Sequence, residues 1–179
     1  GSFADASEYM QRTGQMQAIR ASIARGVPFL GICLGLQLLL ERGEEGVAEV
    51  TSRIEPDASW AEGIGAIAGH VRRVDDKDGA GISYKVPHVG WNQVCYQADA
   101  AALRPLLAGV EDGSNFYFTH SYQGVCDNPG DVLATVTHAS SFPAVIARGC
   151  AFGVQFHPEK SSHKGLKVLE NFVRFAKEN

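Results

Sequence analysis

The stretch FLGICLGLQLLLE, Phe29 to Glu41, limits the fold of this chain more than any other part of the sequence. A short apolar run that contains Gly31 is followed by Cys33, Gly35 and a run of strong helix formers. This order predicts a buried strand that turns sharply into a helix, with glycines on both sides that let the backbone fold closely. A strand that leads directly into a helix is typical of α/β architecture, so we expect an α/β fold.

The N-terminal part of the chain is predicted to be helical on both sides of this strand. Residues 3–25 have apolar side chains at helical spacing and are predicted to form a helix in two pieces, divided near Thr13 and Gly14. After the cysteine, residues 34–42 are helix formers, and Gly43 is predicted to end this second helix.

The middle of the chain gives a weaker pattern. Residues 44–60 are polar and acidic without periodicity, and residues 62–81 suggest a hairpin or β excursion with an extended loop. We find no internal repeat, low-complexity segment or linker that would divide the chain. Its length suits one compact unit, so a single domain over residues 1–179 is expected.

Short strands bounded by turn residues are predicted to dominate from Tyr84 onward, and a closing helix is predicted over residues 161–179. Ser161 or Ser162 is available to cap that helix. The predicted strands are VPHVGWNQVCY, SNFYFTHSYQGV, VLATVTHA, FPAVIARG and CAFGVQFH. The apolar face of the helix is predicted to consist of Leu166, Leu169, Phe172, Val173 and Ala176.

Composition excludes several classes of function. The net charge of −4 and the scattered Lys and Arg residues provide no basic stripe, so nucleic-acid binding is not expected. The longest apolar stretch, Phe29 to Leu40, falls short of the roughly 18 residues of a membrane span, so no membrane association is expected. The four cysteines form no CxxC pair, which favours free thiols in a reducing cytoplasm over a zinc or redox site.

Cys33 is a candidate nucleophile because GICLG has the form of a nucleophile elbow. The N-terminus of the following helix is expected to favour the thiolate over the thiol. The backbone amide of Leu34 is expected to point to the position where an oxyanion would form. The alternative is that Cys33 is a small buried hydrophobic residue.

A cysteine nucleophile needs a base that is oriented by a third group. His157 ends a predicted strand, is followed by Pro158, and has Glu159 two positions later. Residues i and i+2 of an extended segment share a face, so Glu159 could bond one imidazole nitrogen while the other faces the thiol. The alternative is a strand-ending turn with a solvated carboxylate. Solvated or structural roles are assigned to His70, His138 and His163.

The segments GICLGLQ and GVQFHPEK together resemble the class I, or triad, glutamine amidotransferases. Two further segments, KVPHVGWNQV from Lys85 to Val94 and NFYFTHSYQ from Asn115 to Gln123, resemble the glutaminase subunits of imidazole glycerol phosphate synthases. The resemblance extends from about Phe3 to Phe175. It implies a flavodoxin-like three-layer α/β fold with a central mixed sheet.

This resemblance implies hydrolysis of glutamine to glutamate and ammonia through a cysteine thioester, with no metal or organic cofactor. The ammonia would pass to a cyclase subunit with a (β/α)8 barrel, in a heterodimer that makes imidazole glycerol phosphate and an aminoimidazole carboxamide ribotide in histidine biosynthesis. Alternatives within the class are an anthranilate or carbamoyl-phosphate synthase subunit or a γ-glutamyl hydrolase. An alternative from another class is a non-catalytic scaffold subunit.

Carried over by position, the resemblance implies that Cys33 is the nucleophile, His157 the general base and then acid, and Glu159 the orienting carboxylate. It also implies two groups of contact residues. Those that would contact the substrate glutamine are Leu34, Gln37, His120, Ser121 and Tyr122, and those at the cyclase interface are Trp91, Asn92, Tyr117 and Lys160.

The sequence departs from the family pattern at its start. Family members begin with a strand, a helix and a second strand that lead into a glycine-rich loop, and Gly1 would be at best the last glycine of that loop. We therefore expect an N-terminally truncated domain that lacks these strands. That loop supplies a second oxyanion amide in the family, so the isolated chain is expected to have an incomplete site.

Overall fold

The computed structural model describes residues 1–48, 59–97 and 105–179. Most of the segment predicted to lack periodicity, residues 44–60, lies outside the described residues. In chain order the elements are α1 (Phe3–Arg12), α2 (Gln15–Ala24), β1 (Phe29–Ile32), α3 (Leu34–Leu39), β2 (Arg42–Gly43), β3 (Ala61–Glu62), β4 (Gly69–Arg73), β5 (His88–Tyr96), β6 (Ser114–His120), β7 (Tyr122–Cys126), β8 (Val132–Thr137), β9 (Ser141–Arg148), β10 (Ala151–Val154) and α4 (Ser162–Glu178), with 3₁₀ turns at Pro129–Asp131 and Pro158–Lys160.

The predicted division of the first helical segment is confirmed. α1 begins with a reciprocal cap in which the Ser2 hydroxyl accepts from the Asp5 N–H and the Asp5 carboxylate accepts from the Ser2 N–H. The helix ends at Thr13, and Gly14 adopts a φ of 75° before α2 begins. Glycine allows this left-handed conformation at little steric cost, which explains the break.

The helix after the cysteine is shorter than predicted. The backbone N–H groups of Ile64 and Ile67 donate to the carbonyls of the last helical residues, Leu38 and Leu39, at 2.7 and 3.1 Å. These bonds satisfy the carbonyls that a longer helix would have used itself. The prediction that the helix continues as far as Gly43 was wrong, because the following residues leave the helix and form β2.

The strands form two sheets, and the fold class is confirmed as mixed α/β. The six-stranded sheet has the order β1-β10-β9-β8-β5-β6, with β1 and β10 parallel and the other neighbours antiparallel. The four-stranded sheet has the order β3-β2-β4-β7. The segment SNFYFTHSYQGV was predicted as one strand, but the chain passes from one sheet to the other at Ser121, between β6 and β7.

Helices cover both sides of the parallel pair. All four residues of β10 are buried, as expected for a strand packed on two faces. A Cβ at Gly153 would approach the side chain of Leu36 to 2.9 Å, so α3 packs directly on this strand. On the opposite face, Phe152 makes edge-to-face contacts with Phe172 and Phe175 of α4. The resulting layers position the ends of β1 and β10 between α3 and α4.

The predicted apolar face of the closing helix was correct for Phe172, which packs on β10, and wrong for Leu166, Val173 and Ala176, which are exposed. Leu166 is 59% exposed and Val173 is 49% exposed, whereas Gly165 and Asn171 are buried. A Cβ at Gly165 would collide with the carbonyl oxygen of Pro158, so only glycine permits the close approach between this helix and the preceding turn. This contact fixes which side of the helix faces the sheet, and counting apolar residues could not reveal it.

All four cysteines are free thiols. Within the part of the chain that the structure describes, no group of three or more metal-binding side chains lies close together. None of the helices in those same ranges has the length and apolar character needed to cross a bilayer.

Candidate active site

The turn between β1 and α3 is sharp and strained. Cys33 has φ 51° and ψ −104°, a conformation that residues other than glycine rarely adopt, and its N–H donates to Val154 O at 2.8 Å. A Cβ at Gly31 would collide with the carbonyl of Gly35 and lie 2.7 Å from Leu36 N. At Gly35 a Cβ would meet nothing within 4 Å. The elbow therefore requires glycine before the cysteine, and the space after it is open.

The sulfur of Cys33 lies among polar groups in a partly buried position. It is 3.9 Å from Thr119 O and 3.7 Å from Gln155 Nε2. Burial raises the pKa of the thiol, and this effect outweighs the hydrogen bonds from the Leu34 N–H and the Gln155 amide, which lower the pKa. The Leu34 N–H at the start of α3 lowers the pKa of the thiol, in the direction predicted for the helix N-terminus, but burial is the larger effect and the pKa is raised overall.

The imidazole of His157 is already paired with a carboxylate. Its Nδ1 lies 2.8 Å from Glu159 Oε1, across the 3₁₀ turn that follows β10. Burial raises the pKa of Glu159, but a backbone hydrogen bond, the bond from His157 and the charges of His157 and Lys160 together lower it further. An ionised carboxylate only accepts, so Nδ1 carries the proton and Nε2 of the neutral ring is free to act as a base.

The pairing of β1 with β10 brings the elbow and the His157–Glu159 pair to one edge of the sheet. Ile32 pairs with Val154 in parallel, so Cys33 and His157 both follow the carboxyl ends of adjacent strands. Neighbouring parallel strands end at the same edge, which is where α/β sheets place ligand-binding groups.

The far strand of the sheet, β6, lies across both groups. Its Tyr117 carbonyl accepts from the His157 N–H at 2.9 Å, and its Thr119 carbonyl contacts the sulfur of Cys33 at 3.9 Å. Carbonyls two residues apart in a strand are about 7 Å apart, so the elbow and the histidine lie side by side along β6. Within the described residues, the sulfur bonds Thr119 and Gln155 and forms no hydrogen bond with the imidazole in this state.

Ser161 secures the turn that carries the histidine. It precedes α4 as predicted, but its side chain caps no helical N–H. Its hydroxyl instead donates to His157 O at 2.6 Å and accepts from Tyr117 N at 2.9 Å. The backbone of His157 is thus fastened to β6 by its own N–H and through this hydroxyl.

The predicted substrate contacts lie close to the elbow, but several of their polar groups are already engaged. Gln37 is only 3% exposed, and its Nε2 donates to Tyr122 O at 2.8 Å and to Gln155 Oε1 at 3.3 Å. The carbonyl of Ser121 accepts from Val74 N at 2.9 Å. Backbone contacts from this segment to a substrate would therefore use its N–H groups. The Leu34 N–H faces the sulfur itself.

A chain of polar side chains extends from this region across β5 and β6. His120 Nδ1 bonds Tyr122 O at 2.8 Å, His88 Nδ1 bonds His120 Nε2 at 3.0 Å, and Asn92 Nδ2 bonds His88 Nε2 at 3.3 Å. Asn92 Nδ2 also donates to Thr137 O at 2.8 Å. We refer to Asn92, His88 and His120 as the histidine chain. Burial, reinforced by neighbouring histidines, lowers the pKa of His88 to about 3 and that of His120 to about 4.

Sequence reasoning missed the side chains of His88 and Gln155. Both lie within segments that were singled out for other residues, PHVGWN and GVQFHPE. The available signal was a polar side chain at an inward position of a buried strand, where it must find a hydrogen-bond partner. The structure places the other three histidines outside the elbow. His70 packs edge-on against Trp60, His138 stacks on His88 of the histidine chain, and His163 is exposed at the start of α4.

Three of the four residues predicted at a partner interface lie together: Trp91 and Tyr117 are on the outward face of β5 and β6, and Lys160 of the 3₁₀ turn lies beside Tyr117. Trp91 is 56% exposed and contacts Tyr117 edge-to-face at 6.0 Å, and Lys160 Nζ lies 6.0 Å from the same ring. Val89, also 56% exposed, extends this surface and was not predicted. We call Val89, Trp91, Tyr117 and Lys160 the outer patch. Asn92 points to the opposite face of β5 and belongs to the histidine chain.

Two cavities in the part of the chain that the structure describes do not coincide with these groups. One of about 540 Å³ lies between α2 and residues 62–66 and is lined by Arg20, Glu41 and Ile64 among others. Another of about 400 Å³ is lined in part by Gln123, Cys126 and Phe142. The candidate site is therefore defined by the chemistry at the strand ends and not by the volume of a cavity.

The geometry at the strand ends and the mixed α/β fold agree with the family to which the sequence matches. The model of the family Glutamine amidotransferase class-I matches residues 1–175. The chain belongs to the class I glutamine amidotransferases.

Individual relatives narrow this assignment. The chain is 40% identical over 176 residues to the imidazole glycerol phosphate synthase subunit HisH of Geobacillus kaustophilus, covering 98% of this chain and 75% of the relative. It is 45% identical over 172 residues to the subunit of the same name from Moorella thermoacetica, covering 96% of this chain and 71% of the relative. The predicted resemblance to the glutaminase subunits of these synthases is confirmed.

Solved structures agree on the fold. A crystal structure of a glutamine amidotransferase has a TM-score of 0.61 and 15% identity, covering 99% of this chain and 76% of that one. A glutamine amidotransferase from Thermotoga maritima has a TM-score of 0.53 and 19% identity, covering 98% of this chain and 60% of that one. At these identities the likeness concerns the fold alone, and it confirms the predicted fold class.

Proposed function

We propose that this chain is the glutaminase of an imidazole glycerol phosphate synthase, which hydrolyses glutamine to glutamate and ammonia through a thioester on Cys33 for histidine biosynthesis. The observation that supports this most directly is the parallel pairing of β1 with β10, which places the Cys33 elbow beside the His157–Glu159 pair. Family membership supplies the reaction class, and the relatives named above supply the pathway.

In the first half-reaction, His157 Nε2 takes the thiol proton while the sulfur attacks the carboxamide carbon of glutamine. Because burial raises the pKa of Cys33, the thiol is protonated at neutral pH and depends on this base. The Leu34 N–H stabilises the oxyanion that forms. When the tetrahedral intermediate collapses, the C–N bond breaks, His157 returns the proton to the leaving nitrogen, and ammonia departs.

In the second half-reaction, water cleaves the thioester. His157 Nε2 takes a proton from the water as its oxygen attacks the carbonyl carbon. The C–S bond then breaks, His157 returns the proton to the departing sulfur, and glutamate is released. Glu159 keeps the proton of the neutral ring on Nδ1, so that Nε2 faces the reaction. The imidazole must approach the sulfur for either step, and hydrogen bonds of this kind commonly tighten only when substrate is bound.

The ammonia requires an acceptor, and the relatives are subunits of a synthase. We propose a cyclase subunit with a (β/α)8 barrel as the partner, in a heterodimer. The outer patch supports this partner, because it presents an exposed tryptophan beside Tyr117 and Lys160, and aromatic residues are enriched at protein interfaces. Free thiols at all four cysteines support a cytoplasmic location.

Cys33→Ser tests the reaction. Glutamate formation is measured with and without the cyclase subunit, and an electrophilic glutamine analogue is used to label the protein for mass spectrometry. We expect Cys33→Ser to lose at least about 10³-fold in rate and all labelling at position 33. Cys95→Ser, which changes an exposed thiol on β5, is the matched control and should retain both.

The scaffold alternative makes the opposite prediction. A chain that neither forms glutamate in the presence of the cyclase subunit nor takes up the analogue at Cys33 would be a non-catalytic partner.

Trp91→Ala tests the interface. Loss of an exposed aromatic residue at the centre of an interface typically costs 2 kcal/mol or more, so we expect about 30-fold weaker binding of the cyclase subunit. Val173→Ala, which truncates an exposed apolar residue of α4, should bind normally. Equal affinities, measured by isothermal titration calorimetry, would place the partner elsewhere.

A further inference from the structure

The amide of Gln155 is buried against the candidate nucleophile. The side chain is 0% exposed, and its Nε2 lies 3.7 Å from the sulfur of Cys33. Gln155 follows β10 directly, and its backbone N–H donates to Ala144 O at 2.9 Å, so the backbone on which the amide is carried is fixed. A buried amide that contacts a thiol can present either its NH₂ group or its carbonyl oxygen. These two orientations have opposite effects on the charge of the sulfur.

The neighbouring groups select one orientation. Tyr122 O is a backbone carbonyl and can only accept, so Gln37 must direct its NH₂ group toward it. The second proton of that NH₂ group then points to Gln155. The Gln155 side chain must accept it with Oε1, which lies 3.3 Å from Gln37 Nε2. The NH₂ group of Gln155 is consequently directed to the sulfur of Cys33.

The histidine chain ends on the same backbone carbonyl, Tyr122 O. Thr137 O can only accept, so Asn92 directs its NH₂ group to Thr137 O and to His88 Nε2. His88 then carries its proton on Nδ1 and donates to His120 Nε2, and His120 donates from Nδ1 to Tyr122 O. Each donor meets an acceptor only if both histidines are neutral. The lowered pKa values of both histidines agree with this state.

We propose that Gln155 is a further catalytic residue, whose NH₂ group donates to the sulfur of Cys33 and favours the thiolate. Gln37 acts as a positioning residue that prevents the Gln155 amide from rotating by half a turn. If the amide rotated by half a turn, its oxygen would face the sulfur and oppose ionisation of the thiol. This inference rests on the proposed function only for its catalytic meaning, because the hydrogen bond and its effect on the thiol can be measured without substrate.

The test is the pH dependence of Cys33 alkylation in the full chain. Iodoacetamide reacts with the thiolate, so the rate of modification of the Cys33 peptide, followed by mass spectrometry, gives the pH midpoint of ionisation. For Gln155→Leu we expect the midpoint to rise by about one pH unit, which corresponds to about ten-fold slower alkylation below the midpoint. Asn171→Leu is the matched control, since it removes another fully buried amide, one that bonds Leu106 O and Ala108 O.

Two further variants separate the hydrogen bond from general loss of packing. Gln155→Glu keeps the size of the side chain and can still accept from Gln37, but directs an oxygen to the sulfur, so its midpoint should rise at least as far. Gln37→Leu leaves the amide in place but frees it to rotate, so its midpoint should rise by a smaller amount. Midpoints equal to that of the unmodified chain in the folded Gln155 variants would overturn the proposal.

A measurement on the unmodified chain decides the case in which the variants do not fold. The side-chain amide proton resonances of Gln155 should move as Cys33 titrates, and unchanged resonances would also overturn the proposal. A rise of the midpoint in a chain that forms no glutamate with the cyclase subunit would support this hydrogen bond while contradicting the proposed function.

Discussion

The Cys33 elbow and the histidine chain are two buried, titratable regions on the same network of hydrogen bonds, and they differ in how fully their groups are paired. Burial favours the neutral form in both, raising the pKa of Cys33 and lowering those of His88 and His120. In the histidine chain each ring nitrogen has a partner that suits the neutral ring. At the elbow, the base that would ionise the thiol lies at the same edge of the sheet, and the sulfur bonds Thr119 O and Gln155 Nε2 and not the imidazole.

This difference indicates which region is built to change state. A group whose donors and acceptors are all matched has little reason to move, and strain is absent from the backbone φ values at His88 and His120. The elbow combines a strained backbone, with φ 51° at Cys33, with a thiol whose proton has a possible acceptor nearby. The pKa shifts alone would not distinguish the elbow from the histidine chain, because burial perturbs titratable groups in both. The pattern of hydrogen-bond pairing distinguishes the two regions.

The largest effect is expected at His157, the base that does not hydrogen-bond the thiol in this state. His157→Ala should lower the rate of glutamine hydrolysis, assayed with the cyclase subunit, by about 10² to 10⁴-fold, because general acid–base catalysis typically contributes that much. His163→Ala changes an exposed histidine on α4 and should leave the rate unchanged. A normal rate in His157→Ala would mean that the elbow, like the histidine chain, is a structural site.

The elbow backbone provides the second test. Gly31→Ala would drive a methyl group into the Gly35 carbonyl, and such overpacking should lower the free energy of unfolding by about 1–3 kcal/mol in urea denaturation. Gly35→Ala enters open space in a helix and should leave stability equal or slightly higher. If the two variants were equally stable, the elbow would be less constrained than the close packing at Gly31 indicates.

The histidine chain should make the free energy of unfolding depend on pH. Unfolded histidines bind protons near pH 6.5, whereas His88 and His120 in the folded chain bind them only near about 3 and about 4. Between these values the unfolded state binds more protons, so the free energy of unfolding should fall as the pH is lowered, by about 1.4 kcal/mol per pH unit for each histidine.

The His88→Phe variant isolates this contribution. Because it removes one of the two groups, its free energy of unfolding should depend less steeply on pH by about 1.4 kcal/mol per unit. Urea denaturation between about pH 7 and pH 4 measures the slope. Identical slopes in the variant and the unmodified chain would show that His88 is not held neutral.

The smallest effect is expected for Glu159→Gln. The carboxylate is about half exposed, and pairs of this kind contribute about 0.2–1 kcal/mol, so the rate of glutamine hydrolysis should fall by about five-fold or less. The amide oxygen can still accept from His157 Nδ1, which preserves the tautomer. A loss as large as that of His157→Ala would show that the carboxylate charge itself is required.

The sequence alone was sufficient for the local features of the candidate site. The strand, the turn at Cys33 and the pairing of His157 with Glu159 depend on residues close together in the chain, and glycine, proline and i, i+2 spacing express them directly. The same holds for the break between α1 and α2 at Gly14.

The features that sequence reasoning missed depend on contacts between distant segments. α3 ends early because Ile64 and Ile67 bond its carbonyls, and α4 leaves Leu166 and Val173 exposed because Gly165 packs closely against Pro158. The contact of Gln155 with Cys33 arises only after β1 and β10 have paired in one particular register.

The placement of β6 has a mechanical consequence. One edge of this strand holds the thiol and the histidine backbone through the carbonyls of Thr119 and Tyr117, and the side chain of Tyr117 belongs to the outer patch. The strand therefore contacts both the catalytic groups and the surface patch. A shift or tilt of β6 would change the distance between nucleophile and base and, at the same time, the position of the outer patch.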